Sequence, residues 1–597
     1  MPRPKKTTSP SILEMEKSEG DIIRSMIQSA CDESKKKVIE ESHHQSKTVL
    51  LENLGDYLEE PFTILESYFE GKGIERLTRH QIESYNNFVN YQMQKTIEMF
   101  NPIVIKSEND YDPDTGEYGL VIHLNITNLK FYPPQIYENN GATKLMMPQE
   151  ARLRNFTYAS STTVDLSIEY HVRDTDNQVK VLENTMPQIR LCSLPIMLKS
   201  SICILTQYKN SSNTLTGECP MDCGGYFIVK GSEKTVLCQE RAAENRVYVY
   251  SGKNTPKWSW VAEFKSVPDT KCISPKQMEM MISTKTNLYG HGIYVSLPRL
   301  KSKRYIELFV LFRALGVLSD KKICEYIILN TESKKHSIML EYLQASMEDA
   351  KQYLSSPETI QQNAFEQIKT IVSYNPYQTN AQLNEISISD RKDDLLHDIF
   401  QNDLFPHCKS KQQKLYLLGY MAYRLISTTL GWSTKDDRDS YLNKRIEMPG
   451  SLLNNLFRNH YIRFVKDIEK QITKEINLGS WKSCEDYSNI INMTNIYKIF
   501  KPTTIENGIN RALSTGDFSV KQSSNSNKVG VAQVLNHLNY YSILSHLRRV
   551  NTPLEKNGEL IAPRKLHNTT WGFLCPVETP EGQSIGIVKN LSFMTHM

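Results

Sequence analysis

The chain lacks long apolar runs. No stretch of about 18 or more apolar residues occurs in its 597 residues, so no continuous hydrophobic span is there to cross a bilayer. Met1-Pro-Arg-Pro-Lys-Lys has no apolar core of the kind a secretory signal needs. That short basic patch reads as a solvated, disordered end, with a nuclear address as the other reading. Cysteine occurs 11 times without a paired rhythm, which argues against a disulfide framework and for a reducing, intracellular compartment. Cys219 and Cys223 have no second pair at a finger-like spacing, so no structural zinc is expected. Asp110, Asp112 and Asp114 imitate a calcium loop, but Thr115 stands where that loop needs Gly and Val121 where it needs Glu. A turn is expected there instead. No internal repeat is visible.

What is present is the material of several domains. A chain of this length exceeds what one core can serve. Hydrophobic residues make up 39% and charged residues 23%, as in soluble globular proteins. The net charge is only +4, and it is unevenly placed: residues 501–597 hold 10 Lys and Arg against 6 Asp and Glu, while the first 500 residues balance. A polyanion is expected to lie against that last segment, although a solvated surface is the plain reading of so small an excess.

Residues 1–55 are polar, with Lys35-Lys36-Lys37, and read as a mobile tail. From Glu60 to Phe100 apolar residues recur at helical spacing. Leu120–Ile126 and Val164–Tyr170 alternate as half-buried strands do. Tyr226-Phe-Ile-Val and Thr235-Val-Leu-Cys read as two strands joined by a tight turn at Lys230-Gly231. Strands are expected at 246–250, 257–265 and 292–298. Helices are expected over 318–430, including Lys411–Leu430, and over about 450–478. Val529-Gly-Val-Ala-Gln-Val-Leu-Asn is expected to open a further helix. The class is α+β, multidomain.

The most informative string is Leu566-His-Asn-Thr-Thr-Trp-Gly-Phe-Leu-Cys-Pro-Val-Glu-Thr-Pro-Glu-Gly-Gln-Ser-Ile-Gly-Ile-Val-Lys-Asn-Leu-Ser-Phe-Met. Glu578 and Glu581 flank Thr579-Pro580, and Gly582 follows. Proline fixes one dihedral and glycine permits a turn, so both carboxylates sit on a stiff corner. Taken alone, this is a capped turn before a strand. The string nevertheless resembles the fork region of the second-largest, β-like subunit of multisubunit DNA-directed RNA polymerases. Further stretches are similar to the same family: Pro148-Gln-Glu-Ala-Arg-Leu-Arg-Asn-Phe-Thr-Tyr, Gly224-Gly-Tyr-Phe-Ile-Val-Lys-Gly-Ser-Glu-Lys-Thr-Val-Leu-Cys-Gln-Glu-Arg, Phe312-Arg-Ala-Leu-Gly-Val, Leu417-Leu-Gly-Tyr-Met-Ala-Tyr-Arg-Leu, and Asp436-Asp-Arg-Asp with Lys444-Arg445 beyond. The likeness runs from about residue 60 to the last residue and is to the archaeal and eukaryotic, polymerase II-like type.

That resemblance implies an architecture of protrusion, lobe and fork. Its expected parts are a tail at 1–55, the first part of the protrusion at 56–224, the lobe at 225–435, the protrusion's return at 436–500 and the fork at 501–597. It implies a subunit that, with the largest subunit and the remaining polymerase subunits, forms the cleft of a nucleotidyltransferase. Template DNA, the RNA–DNA hybrid and downstream DNA are the implied ligands, and a non-catalytic nucleic-acid-binding protein of the same fold is the alternative. Sequence-independent grip needs Lys and Arg against phosphates and amides or hydroxyls against sugars. The implied contacts are Lys521 and Lys528, which bracket a polar loop that alone reads as solvated surface, then Gln533, Arg548, Arg549, Lys556 and Arg564. On a helix, Arg548 and Arg549 diverge by about 100°, so one meets nucleic acid and the other is left for an internal carboxylate. Lys556 stands where relatives often carry Arg, which keeps the charge and loses the forked geometry. Glu581 and Arg564 match residues beside the catalytic centre.

By the same resemblance, this chain holds no catalytic residue, cofactor or metal of its own. Magnesium belongs to the largest subunit, and the hybrid-binding, wall and clamp parts belong to a C-terminal half of this subunit. The chain alone is therefore expected to be inactive. Its richness in Lys, Asn and Ile points to a large DNA virus of eukaryotes, hence a virion or cytoplasmic viral factory, with an AT-rich protist nucleus as the alternative.

Overall fold

A computed structural model describes residues 75–107, 111–112, 117–173, 178–208, 216–252, 257–268, 275–301, 304–351, 359–373, 385–479, 487–519, 529–554, 558 and 560–597. The expected tail at 1–55 and Lys521, Lys528 and Lys556 lie outside the described residues, as do Asp110 and Asp114 of the calcium-like run.

Two large hydrophobic cores organise the rest. The first draws on residues between Tyr85 and Val236 and again between Leu452 and Ala532. Its sheet has four antiparallel strands in the order Ile103–Lys106, Leu120–Phe131, Ala159–Arg173 and Val179–Pro195. Along Ala159–Arg173 every second residue from Ser160 to Tyr170 is buried, which is the alternation read from sequence. The helix Pro449–Leu478 lies over this core with Leu452, Leu453, Leu456, Phe457, Tyr461, Phe464, Ile468, Ile472 and Ile476 buried. Three- and four-residue spacing puts those side chains on one stripe. Pro449 starts the helix where a missing N–H costs nothing, and Gly479 ends it at φ 66°. Gly450 is required by closeness: a Cβ there would stand 1.9 Å from the Ser84 carbonyl oxygen.

The second core lies between Val247 and Ile426. Five antiparallel strands, Val247–Ser251, Trp258–Ser266, Lys276–Asn287, Gly290–Ser296 and Ile306–Glu307, pair in sequence order. Helices Leu308–Ala314, Asp320–Ile328 and Lys411–Thr429 contribute to the same core, the last with a Ser410–Gln413 capping box. Phe227, Val229 and Val236 pack in the first core, so the packing boundary falls between Val236 and Val247, later than the expected 224/225 division.

Most expected elements are present. Lys230 and Gly231 form the expected tight turn, both with positive φ. The segment after Val529 is a correction: Ala532–Val534 is a strand, not a helix, and pairs antiparallel with Ser232–Val236. No helix among the described residues is long and apolar enough to cross a membrane.

Candidate nucleic-acid interface

A small mixed sheet carries the segment of greatest interest. Its strands lie in the order Lys444–Glu447, Cys238–Ala242, Arg549–Asn551 and Val588–Asn590, gathered from four distant parts of the chain. Cys238, Val550, Leu574 and Leu591 form its own small core. On one central strand Glu240 is 3% exposed. It meets Lys444 Nζ at 2.5 Å and Lys589 Nζ at 2.9 Å, and the Tyr441 hydroxyl donates to it. Burial pushes the Glu240 carboxyl up, but the two ammonium groups outweigh burial and hold it below the usual carboxylate range. Two half-buried cations share one buried anion.

The glutamate corner stands on this sheet. Cys575 N–H donates to Asn590 O at 2.9 Å, fixing where the corner departs. Thr579 Oγ1 donates to Val588 O at 3.0 Å and accepts from Gly586 N at 2.9 Å, closing the corner's two arms together. Arg564 donates to Gln583 O at 2.7 Å, Ile585 O at 3.1 Å and Gly558 O at 3.4 Å. Gly586 is obligatory, because its φ is +68° and a Cβ would meet Arg564 O at 2.1 Å. Glu578 accepts from Ser545 Oγ. Glu581 is exposed at the turn. Against the corner's other carboxylate, Glu578, lies a cavity of about 230 Å³, lined in part also by Tyr441, Lys444, Arg564, His567 and Lys589.

The expected site residues separate into distinct places. Arg564 is half-buried and spends its guanidinium on backbone carbonyls, so it braces the corner. Arg548 is a correction: it is 7% exposed and donates to Leu77 O, Ser592 O and Phe593 O at 2.8, 2.6 and 3.4 Å. It is an internal clasp on carbonyls rather than a residue of an exposed surface. The helix expected to carry both arginines, Tyr540–Leu547, ends before them, and Arg549 begins a strand. Arg549 is half-buried; burial lowers its pKa and the nearby Glu578 opposes that shift. Gln533 is half-buried, donates to Gly530 O at 3.2 Å and faces His546 Nε2 at 3.1 Å through Oε1. His546 Nδ1 accepts from Asn536 N at 3.1 Å, which leaves the proton on Nε2, donated to Gln533.

Sequence reasoning missed Glu240, Tyr441, Lys589 and His546 as parts of this site. One signal was available: Glu240 interrupts the apolar Val236-Leu-Cys stretch with a charge on a buried strand, and a buried charge demands partners. Nothing in sequence spacing names those partners.

Residues 76–497 match the family described as RNA polymerase beta subunit, and residues 533–597 match RNA polymerase Rpb2, domain 3. The chain is 35% identical over 544 residues to DNA-directed RNA polymerase II subunit RPB2 of Encephalitozoon cuniculi, covering 90% of this chain and 44% of that protein. It is 32% identical over 551 residues to DNA-directed RNA polymerase II subunit 2 of Arabidopsis thaliana, covering 90% and 43%. With DNA-directed RNA polymerase subunit Rpo2 of Saccharolobus solfataricus the identity is 30% over 543 residues, covering 90% and 42%. The chain thus spans less than half the length of these curated relatives.

Proposed function

This chain belongs to the RNA polymerase beta-subunit family, and we propose that it supplies the protrusion, lobe and fork of a DNA-directed RNA polymerase. In this reading it joins the largest subunit, the remaining subunits and the C-terminal part of its own subunit to form the active-centre cleft. It grips the RNA–DNA hybrid and downstream DNA, while magnesium is held by the largest subunit. The observation that carries the reading is the braced corner: Arg564 and Thr579 fix the turn from both sides and leave Glu581 exposed at its tip.

The chemistry is division of labour. Lys521, Lys528 and Lys556 supply positive charge to phosphates, and Arg549 and Gln533 act from the described framework. Arg564 is a positioning residue that acts through the corner. The Glu240–Lys444–Lys589 cluster ties the strand that follows the corner, Val588–Asn590, to Cys238–Ala242 and Lys444–Glu447, so that the corner keeps its place as nucleic acid moves past. The bias toward Lys, Asn and Ile supports a large DNA virus as the source, which sequencing of neighbouring genes tests.

The direct test is elongation by the assembled enzyme. Charge reversal of Lys521, Lys528 and Lys556 together is expected to shorten the lifetime of elongation complexes and to flatten their salt dependence. Glu581→Gln is expected to slow nucleotide addition without changing that salt dependence. Unchanged elongation in both variants overturns the assignment.

A further inference from the structure

The first core's sheet has an outer face that the proposed function does not use. On Leu120–Phe131 and Ala159–Arg173, residues alternate between the core and this outer face. His123 lies directly opposite Glu169 across the strand pair, and His171 follows two residues on, on the same face. The two imidazole rings stand 4.5 Å apart between centroids. One ligand atom from each of His123, Glu169 and His171 can be chosen so that all three lie within 4.8 Å of one another.

We propose that His123, Glu169 and His171 form a site for a late first-row divalent metal ion, zinc in the first instance, bridging the two central strands of this sheet. Two imidazoles and one carboxylate suit such an ion and do not suit calcium or magnesium, which take oxygen ligands. Ligand atoms around a tetrahedral zinc stand roughly 3.4 Å apart, given bond lengths of about 2.0–2.1 Å. The longest side of the present triangle must therefore close by at most about 1.4 Å, a movement that χ rotation of part-exposed side chains supplies. His171 Nε2 is buried and has no hydrogen-bond partner, with Glu169 Oε2 at 3.6 Å. A polar atom so placed is unsatisfied unless something binds between it and its neighbours. Asn125 Nδ2 donates to Glu169 Oε1 at 3.3 Å, which orients the carboxylate in the way outer partners of metal ligands do. Three protein ligands leave a fourth position open to water or to a side chain from a neighbouring subunit.

The test uses the full chain, stripped with chelator and titrated with zinc chloride, then with cobalt(II) as a spectroscopic probe. The wild type is expected to bind zinc at this site, to melt at higher temperature with zinc, and to give a cobalt spectrum of nitrogen and oxygen ligation. His123→Gln/His171→Gln is expected to lose one zinc equivalent and its share of the thermal shift. Its melting temperature in chelator should match the wild type, since both positions face outward. Glu169→Gln is expected to weaken binding about tenfold or more, as loss of an anionic ligand does. Equal stoichiometry in wild type and double variant overturns the proposal. So does a cobalt thiolate charge-transfer band alone, which assigns the binding to cysteines.

Discussion

At the scale of single residues, burial decides which polar groups act on partners and which act on the chain itself. Arg548 illustrates this: its guanidinium is buried and three of its hydrogen bonds go to backbone carbonyls in the interior, so it acts on the chain itself. His80 and His546 add a titration. Burial, with Arg548 beside His80 and Arg549 beside His546, lowers each to about 4 from an ordinary value of 6.5. Below pH 6.5 the unfolded chain takes up protons that the native chain refuses, so stability falls as pH drops from about 6.5 toward 4. Thermal unfolding between pH 7 and pH 5 should show this fall, and His546→Gln should reduce its slope. An identical slope in that variant means His546 is not held neutral by its surroundings.

At the scale of elements, sequence was a good guide wherever a pattern repeats within one segment. The strands of the first sheet follow from alternation, and the helix Pro449–Leu478 follows from its apolar stripe and terminal Gly479. Ala532–Val534 could not be read that way. Val-Ala-Gln-Val is too short to show a period, and its partner Ser232–Val236 lies about three hundred residues earlier. Lys276–Asn287 was missed because Met278, Met280 and Met281 fill its buried positions in place of β-branched residues. The glutamate corner was legible through Pro580 and Gly582, but its braces from Arg564 and Thr579 were not. The buried cluster in the small sheet gives this scale its own prediction. Glu240→Gln leaves Lys444 and Lys589 without a carboxylate and should cost about 3 kcal/mol or more. The measurement is amide exchange in Cys238–Ala242 and Val588–Asn590, which should lose protection; Glu240→Gln/Lys589→Met should recover part of it. Protection unchanged in the single variant removes the cluster from the account of how the corner is held.

At the scale of the whole molecule, the chain passes from one core to another and back. It leaves the first core after Val236, builds the second from Val247 to Ile426, and returns to the first through Leu452. Such an excursion makes the second core an insertion with its own packed interior. The first core, by contrast, closes only when residues from both sides of the insertion meet. Leu418 and Ile468 are both fully buried, the one in the second core and the other in the first. Truncating either to alanine should cost about 2–5 kcal/mol locally. If the cores melt separately, calorimetry of the full chain shows two transitions; Leu418→Ala lowers one midpoint and Ile468→Ala the other. A single transition moved equally by both substitutions would mean that the small sheet binding Cys238–Ala242 to Lys444–Glu447 couples the cores tightly. The expected separation follows from where that sheet sits, at the two crossings of the chain between cores. Its strands join the ends of the insertion without contributing to its interior, so the second core can open while the corner beside the small sheet stays in place.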